Sequence, residues 1–314
     1  MTRKRRYTVA CLAGDGIGAE VMAEASRALK AVSRLHGFRV DDVHVPFGGE
    51  AFSRVGHLLP VSTRTAYLDA DAVLVGTASE PALEGVATEL DLQAFVTRVR
   101  FGPHGELTLL SPLADEMAAW TLDRAFTVAR SSRGRVVSVA DDAGWRRLVD
   151  EVSRGHDGVL VEHVEPSAAL PALAFTPAGF DVVVAPRVLA GALASVAASS
   201  VDGARIVASG RLAATGPGVF APAHGAAHEI AGQGVANPSS ILLAAALMLG
   251  EGLGERAAAE TLAGAVMGAC GNGVRTPDML HDGVGATTRE FADVVLDELP
   301  WAVTNAEFLR EAWA

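Results

Sequence analysis

At 314 residues, half of them hydrophobic, the chain is long enough to bury one large core or two smaller ones, so one or two domains are expected. A formal net charge of −11 argues against nucleic acid or an anionic membrane surface as a partner. The longest uninterrupted apolar run, 241–249, is half a membrane span, and the apolar stretch after the basic run Thr2-Arg3-Lys4-Arg5-Arg6 is cut short by Asp15, too early for an export signal. A soluble, cytoplasmic protein with a solvated N-terminus is expected.

In chain order, strand-like and helix-like segments alternate, which is the pattern of an α/β fold. Residues 7–13 read as a buried strand and 19–35 as a helix with apolar residues at helical spacing. Residues 38–46 alternate as a strand, 61–67 form a short helix and 72–76 a fully buried strand. The pattern is poor between 80 and 104, which suggests a crossover between lobes. Helices are predicted over 117–130 and 144–153, with strands over 135–139, 158–164 and 180–186. An Ala-rich helix over 188–198 has the small residues needed for close packing. The last predicted helix, 239 to about 249, is apolar on nearly every face. With 5% aromatic residues, Ala, Val, Leu and Gly do the packing.

Cys11 and Cys270 lie far apart, with no His near enough in sequence to suggest a metal site. Cys11, inside an apolar strand, reads as a structural thiol. Cys270 sits where a helix runs into a turn, with no base in view. His104, His156, His163, His224, His228 and His281 lie in separate turns and lack zinc spacing. His163 and Glu165, two apart on a strand, share a face and could act as an acid or base pair; a polar strand end is the plainer reading.

The densest stretch is 221–238, APAHGAAHEIAGQGVANP. Gly225, Gly232 and Gly234 allow positive φ and close backbone approach, and Asn237 before Pro238 reads as an N-cap with proline at the first helical position. A loop held against a helix N-terminus offers oriented N–H groups. Glu229 adds a carboxylate suited to a ribose diol. The same residues also fit a Gly-rich surface turn beside a core helix.

HGAAHEIAGQGVANP resembles the adenine-binding loop of the isocitrate and isopropylmalate dehydrogenase family, and Gly14-Asp15-Gly16-Ile17-Gly18-Ala19-Glu20 resembles its GDGIGPE motif, with Ala19 for proline. Shorter matches lie between: PFGG at 46–49, ADAVLVG at 70–76, LSPL at 110–113, VVSV at 136–139 and DVVVA at 181–185. The resemblance implies a two-lobed α/β fold with a large mixed sheet flanked by helices. One lobe comprises 1–90 plus 203–314 and binds nucleotide; the other, 91–202, carries the cleft and a dimer helix. It implies cofactor contacts from Ile17, His224, Gly225, Ala226, Ala227, Glu229, Ile230, Ala236 and Asn237. NAD or another adenine nucleotide is the expected ligand. No Lys or Arg lies between His224 and Asn237 to take a 2′-phosphate, which favours NAD over NADP.

Members of that family oxidise a 2-hydroxy acid with NAD(P) and decarboxylate the product, using arginines, a tyrosine, a lysine and three aspartates on a divalent metal, one aspartate coming from the partner subunit. Matched position by position, the aspartates fall on Gly191, Ser195 and Ser167, and the lysine on Asp141 or Asp142. No lysine occurs after Lys30. The closing arginine of one family run falls on Thr97, with Arg98 and Arg100 beside it; these face either a cleft or solvent. The two tyrosines, Tyr7 and Tyr67, both lie in the first lobe, and the family's arm-like extension has no counterpart. Mg²⁺ or Mn²⁺ is therefore not expected. A non-catalytic subunit or recruited chemistry is expected, as a homodimer or with a complete family member as partner. The competing expectation is a working NAD-dependent dehydrogenase on an altered 2-hydroxy acid.

Overall fold

In the computed structural model, which describes residues 5–77, 80–101, 105–199, 207–280 and 283–312, ten strands and eleven helices build an α/β fold. The chain divides into two compact units, Met1–Leu90 with Thr215–Ala314, and Asp91–Ala214.

In the first unit β1 (Arg6–Leu12) runs parallel to β2 (Arg39–Val45) on one side and β3 (Ala72–Val75) on the other, and β10 (Val219–Pro222) adds parallel to β3. Strands paired on both edges and covered on both faces lose their polar alternation, which is why VACL and AVLV are buried throughout. Helix α1 (Gly18–Leu35) lays Val21, Met22, Ala25, Ala28, Leu29 and Val32 along one buried stripe. Helices α2 (Gly48–Val55), α3 (Val61–Leu68) and α4 (Glu80–Glu89) follow; later come α9 (Ser239–Leu247), α10 (Arg256–Gly271) and α11 (Thr288–Ala312).

In the second unit β9 (Val207–Ala213), β4 (Leu92–Arg100) and β5 (Glu106–Pro112) are antiparallel neighbours; β8 (Val182–Val184), β6 (Arg135–Val139) and β7 (Leu160–Val164) continue in parallel. Its helices are α5 (Ala118–Arg130), α6 (Ala143–Ser153), α7 (Pro166–Phe175) and α8 (Arg187–Ser199). The patternless 80–104 is not a plain crossover: α4 and β4 occupy most of it. Thr97 is buried on one face of β4 while Arg98 and Arg100 lie on the other, so the strand shows no hydrophobic alternation to read. The expected lobe boundary at 202/203 lies outside the described residues. The second unit runs on to Ala214 because β9 pairs with β4 along its length.

Among the described residues no helix is long and apolar enough to cross a membrane. The run 241–249 is instead core: all nine residues of α9 are buried, and the helix widens into a π-type turn over Met248–Gly252. Burying each Leu or Ile contributes about 1.5–3 kcal/mol. Leu242→Ala should lower stability by about 2–5 kcal/mol, seen as a lower urea midpoint at unchanged slope. Leu68→Ala, at a half-exposed side chain, should leave the midpoint nearly where it is. Equal effects from the two would refute this assignment of the core.

Candidate nucleotide site

The glycine motif after β1 and the loop after β10 meet directly. The Ile17 N–H donates to the Ala226 carbonyl at 2.9 Å. Gly16, at φ +57°, comes so close that a Cβ there would lie 1.8 Å from the same oxygen, and a Cβ on Gly14 would lie 1.6 Å from the Thr77 carbonyl oxygen. Glycine is required at both positions. Asp15 faces the other way, its Oδ1 accepting the Glu50 N–H at 3.0 Å, while its carbonyl accepts the Thr77 hydroxyl. The Asp of this motif is therefore a clamp on the start of α2.

Ile17 is buried. His224 donates from Nδ1 to the Gly225 carbonyl at 3.0 Å, which leaves Nε2 as the lone-pair nitrogen; it is shielded from solvent and has no hydrogen-bond partner in the described structure. Ala227 sits in the left-handed region at φ +40°, a conformation that costs a non-glycine residue roughly 1–2 kcal/mol. It opens a short turn in which the Ile230 N–H donates back to its carbonyl at 3.1 Å. Glu229 is exposed at the crest, its main-chain carbonyl accepting from Gln233 Nε2 at 2.8 Å. Gly232 and Gly234 take positive φ as read from sequence, but Gly225 does not.

Asn237 departs from its expected part. The helix begins at Ser239, with Pro238 just before it, and Asn237 Oδ1 accepts the Ser239 N–H at 2.9 Å while Nδ2 lies 2.9 Å from Met279 Sδ. The amide is thus buried and engaged at both ends, so Asn237 shapes the loop instead of presenting its side chain to a ligand. Ala236 is fully buried, its carbonyl accepting the Thr288 hydroxyl at 2.7 Å. Three residues of this region were not singled out from sequence. Glu20 Oε2 accepts the Gly234 N–H at 3.0 Å, Asp278 Oδ2 accepts the Asn237 N–H at 3.1 Å, and the Thr288 N–H donates to the Gly234 carbonyl at 2.8 Å. Glu20 lies inside the glycine motif; Asp278 lies in a short turn and Thr288 at the start of α11, each far in sequence from the loop it holds.

The second unit's candidates have partners of their own. His163 bonds Asp150 at 2.9 Å and Glu165 bonds Arg146, so the suggested His–Glu pair does not form. Arg98 and Arg100 reach the same Glu106, at 3.5 and 2.8 Å, and both are largely buried. Asp142, at a position matched to the family lysine, caps α6 by accepting the Trp145 N–H at 2.6 Å. Ser167 on α7 and Gly191 and Ser195 on α8 are exposed. In the first unit both tyrosine hydroxyls are occupied, Tyr7 with Glu255 at 2.8 Å and Tyr67 with Glu89. Burial pushes the Cys11 thiol up to about 12, in keeping with a structural role. Cys270 is also buried. His156 pairs with Asp123 at 3.0 Å, His228 is exposed, and His104 and His281 lie outside the described residues.

Burial holds the His224 imidazole below its ordinary range, opposed in smaller measure by the Gly225 carbonyl and the Asp278 carboxylate. A depressed folded-state value means that its stabilising contribution is present above the unfolded value and is lost as pH falls through the folded one. The melting temperature should therefore drop between about pH 7 and about pH 5. That component should be missing in His224→Gln; parallel profiles for the two proteins would contradict the assignment.

Comparison with known proteins fits this geometry. The family described as isocitrate/isopropylmalate dehydrogenase matches residues 8–97 and 113–295. The 3-isopropylmalate dehydrogenase of Pseudoalteromonas translucida is 30% identical over 358 residues, covering 93% of this chain and 99% of that protein. The 3-isopropylmalate dehydrogenase of Salinibacter ruber is 32% identical over 364 residues, covering 96% and 98%. Isocitrate dehydrogenase from Methylococcus capsulatus shares the fold at a TM-score of 0.82 and 20% identity, over 93% of this chain and 99% of that one. A β-decarboxylating dehydrogenase from Thermococcus kodakarensis superposes at 0.80 with 26% identity, over 94% and 96%. These matches overturn one expectation. The isopropylmalate dehydrogenases use NAD and a divalent metal, so the replaced aspartates do not license the view that Mg²⁺ or Mn²⁺ has no part here. Among the described residues no cluster of three or more His, Cys, Asp or Glu suited to a metal occurs, and Ser167, Gly191 and Ser195 carry no carboxylate. With most of its length matched by the family model and by relatives at 30% identity or more, the chain belongs to the isocitrate/isopropylmalate dehydrogenase family.

Proposed function

We propose that the protein binds NAD or another adenine nucleotide at the 224–237 loop and has lost the family's oxidative decarboxylation, serving as a non-catalytic subunit or in recruited chemistry. The observation that carries the reading is the docking of Ile17 on Ala226, which keeps the nucleotide loop in a fixed conformation. Against the family reaction stand the lack of any lysine beyond Lys30 and the engagement of both tyrosine hydroxyls with carboxylates. Nor is a cation present between His224 and Asn237 for a 2′-phosphate, which favours NAD over NADP.

A second reading has its own support. The chain is 30–32% identical along nearly its whole length to proteins named 3-isopropylmalate dehydrogenase, which suits an active NAD-dependent enzyme on an altered 2-hydroxy acid. Calorimetric titration with NAD and with AMP should show saturable binding, weakened roughly tenfold in Asn237→Ala by loss of the loop's internal cap. Incubation with NAD, Mg²⁺ or Mn²⁺ and a panel of 2-hydroxy acids should yield no NADH. Robust turnover would establish the second reading; absence of nucleotide binding would defeat both.

The same proposal includes a homodimer through α7 and α8. Their exposed positions include Ala168, Pro171, Phe175, Val188 and Ala192, and Arg187 is the one charged residue of the two helices. An apolar surface of this kind suits a two-fold contact. Sedimentation should show a dimer that Val188→Glu disrupts. A wild-type monomer would remove this part, and a stable complex with a longer family member would replace it with a heteromer.

A further inference from the structure

We propose that Asp278 is a positioning residue for nucleotide binding, fixing the 224–237 loop from outside it through Asn237. This rests on the nucleotide-binding reading and adds a residue outside the matched adenine loop. The carboxylate is itself held at both oxygens. Oδ1 accepts the Thr276 hydroxyl at 2.5 Å, and Oδ2 accepts the Asn237 N–H at 3.1 Å. The next residue, Met279, supplies the sulfur against Asn237 Nδ2. Ten residues on, Thr288 binds the carbonyls of Gly234 and Ala236. The Ala286 N–H donates to the Arg275 carbonyl at 2.8 Å.

Asp278, Met279 and Thr288 therefore set the conformation of the loop's last four residues. Asp278 also reaches the loop's first residue electrostatically, since its charge acts on the His224 imidazole. Removing the acceptor leaves the buried Asn237 N–H without this partner two residues before α9, and the loop can relax from the conformation that receives the ligand. The effect should fall on binding because the loop, not the core, depends on this contact.

The test uses the full chain, AMP as the probe in calorimetry, and the His224 ring resonances followed by NMR against pH. Asp278→Ala should weaken AMP roughly tenfold or more and lower the His224 titration midpoint, with circular dichroism verifying that the fold is retained. Asp278→Asn keeps an acceptor for the Asn237 N–H but not the charge. It should restore AMP affinity to within about twofold of wild type while leaving the His224 midpoint lowered. Wild type that binds AMP with Asp278→Ala unimpaired would overturn the inference alone. An Asn variant as weak as the Ala variant would do the same. Wild type that binds neither AMP nor NAD would remove the nucleotide-binding reading and this inference with it.

Discussion

The hydrogen bond from the Ile17 N–H to the Ala226 carbonyl is the constraint on which the first unit's site depends. It joins the turn after the first strand to the loop after the last one, and the backbones approach so closely that no side chain fits at Gly16. Once that contact is made, the start of α1 and the 224–237 loop share one position. Asp15, Thr77 and the first residues of α2 pack behind it, so the glycine motif acts as a joint between three elements.

The loop is over-determined as a result. Glu20 holds Gly234, Thr288 holds Gly234 and Ala236, Asp278 holds Asn237, and Asn237 in turn accepts the Ser239 N–H at the start of α9. Only such a surround sustains Ala227 in the left-handed region, where a free loop would relax. Order already present in the loop need not be imposed by the ligand, and that lowers the entropic cost of binding. The buried, lone-pair Nε2 of His224 and the exposed carboxylate of Glu229 then lie at opposite ends of a short, rigid stretch.

Much of this was legible in the residues. Alternation and helical spacing give β1, α1, β2, β3, α5 and β6, and the glycines of 14–18 announce close backbone approach. Other parts were not legible, for identifiable reasons. Strand β4 carries Thr97 and Arg98 side by side, one buried against α8's face of the sheet and the other paired with Glu106 across the strand, so its pattern is neither alternating nor apolar. Asn237 reads as a residue presented to a ligand, because nothing in the sequence says that Met279 and Ser239 will engage its amide. Asp278 matters through a contact forty-one residues away in the chain, and no local rule marks it. Positions fixed by long-range pairing escape a reading built on short-range period.

The second unit shows where its charges have gone. Asp142 caps a helix, Glu165 and Asp150 hold Arg146 and His163, and Glu106 sits between Arg98 and Arg100 in surroundings largely closed to solvent. An anionic substrate approaching those arginines would compete with a carboxylate already in place, and separating such a buried pair costs more than an exposed one. The 224–237 loop of the first unit presents other chemistry: backbone groups, the imidazole of His224 and the exposed carboxylate of Glu229. The two units thus differ in what they offer: one holds a loop fixed by its own hydrogen bonds, and in the other the arginines of β4 are matched by the protein's own carboxylate.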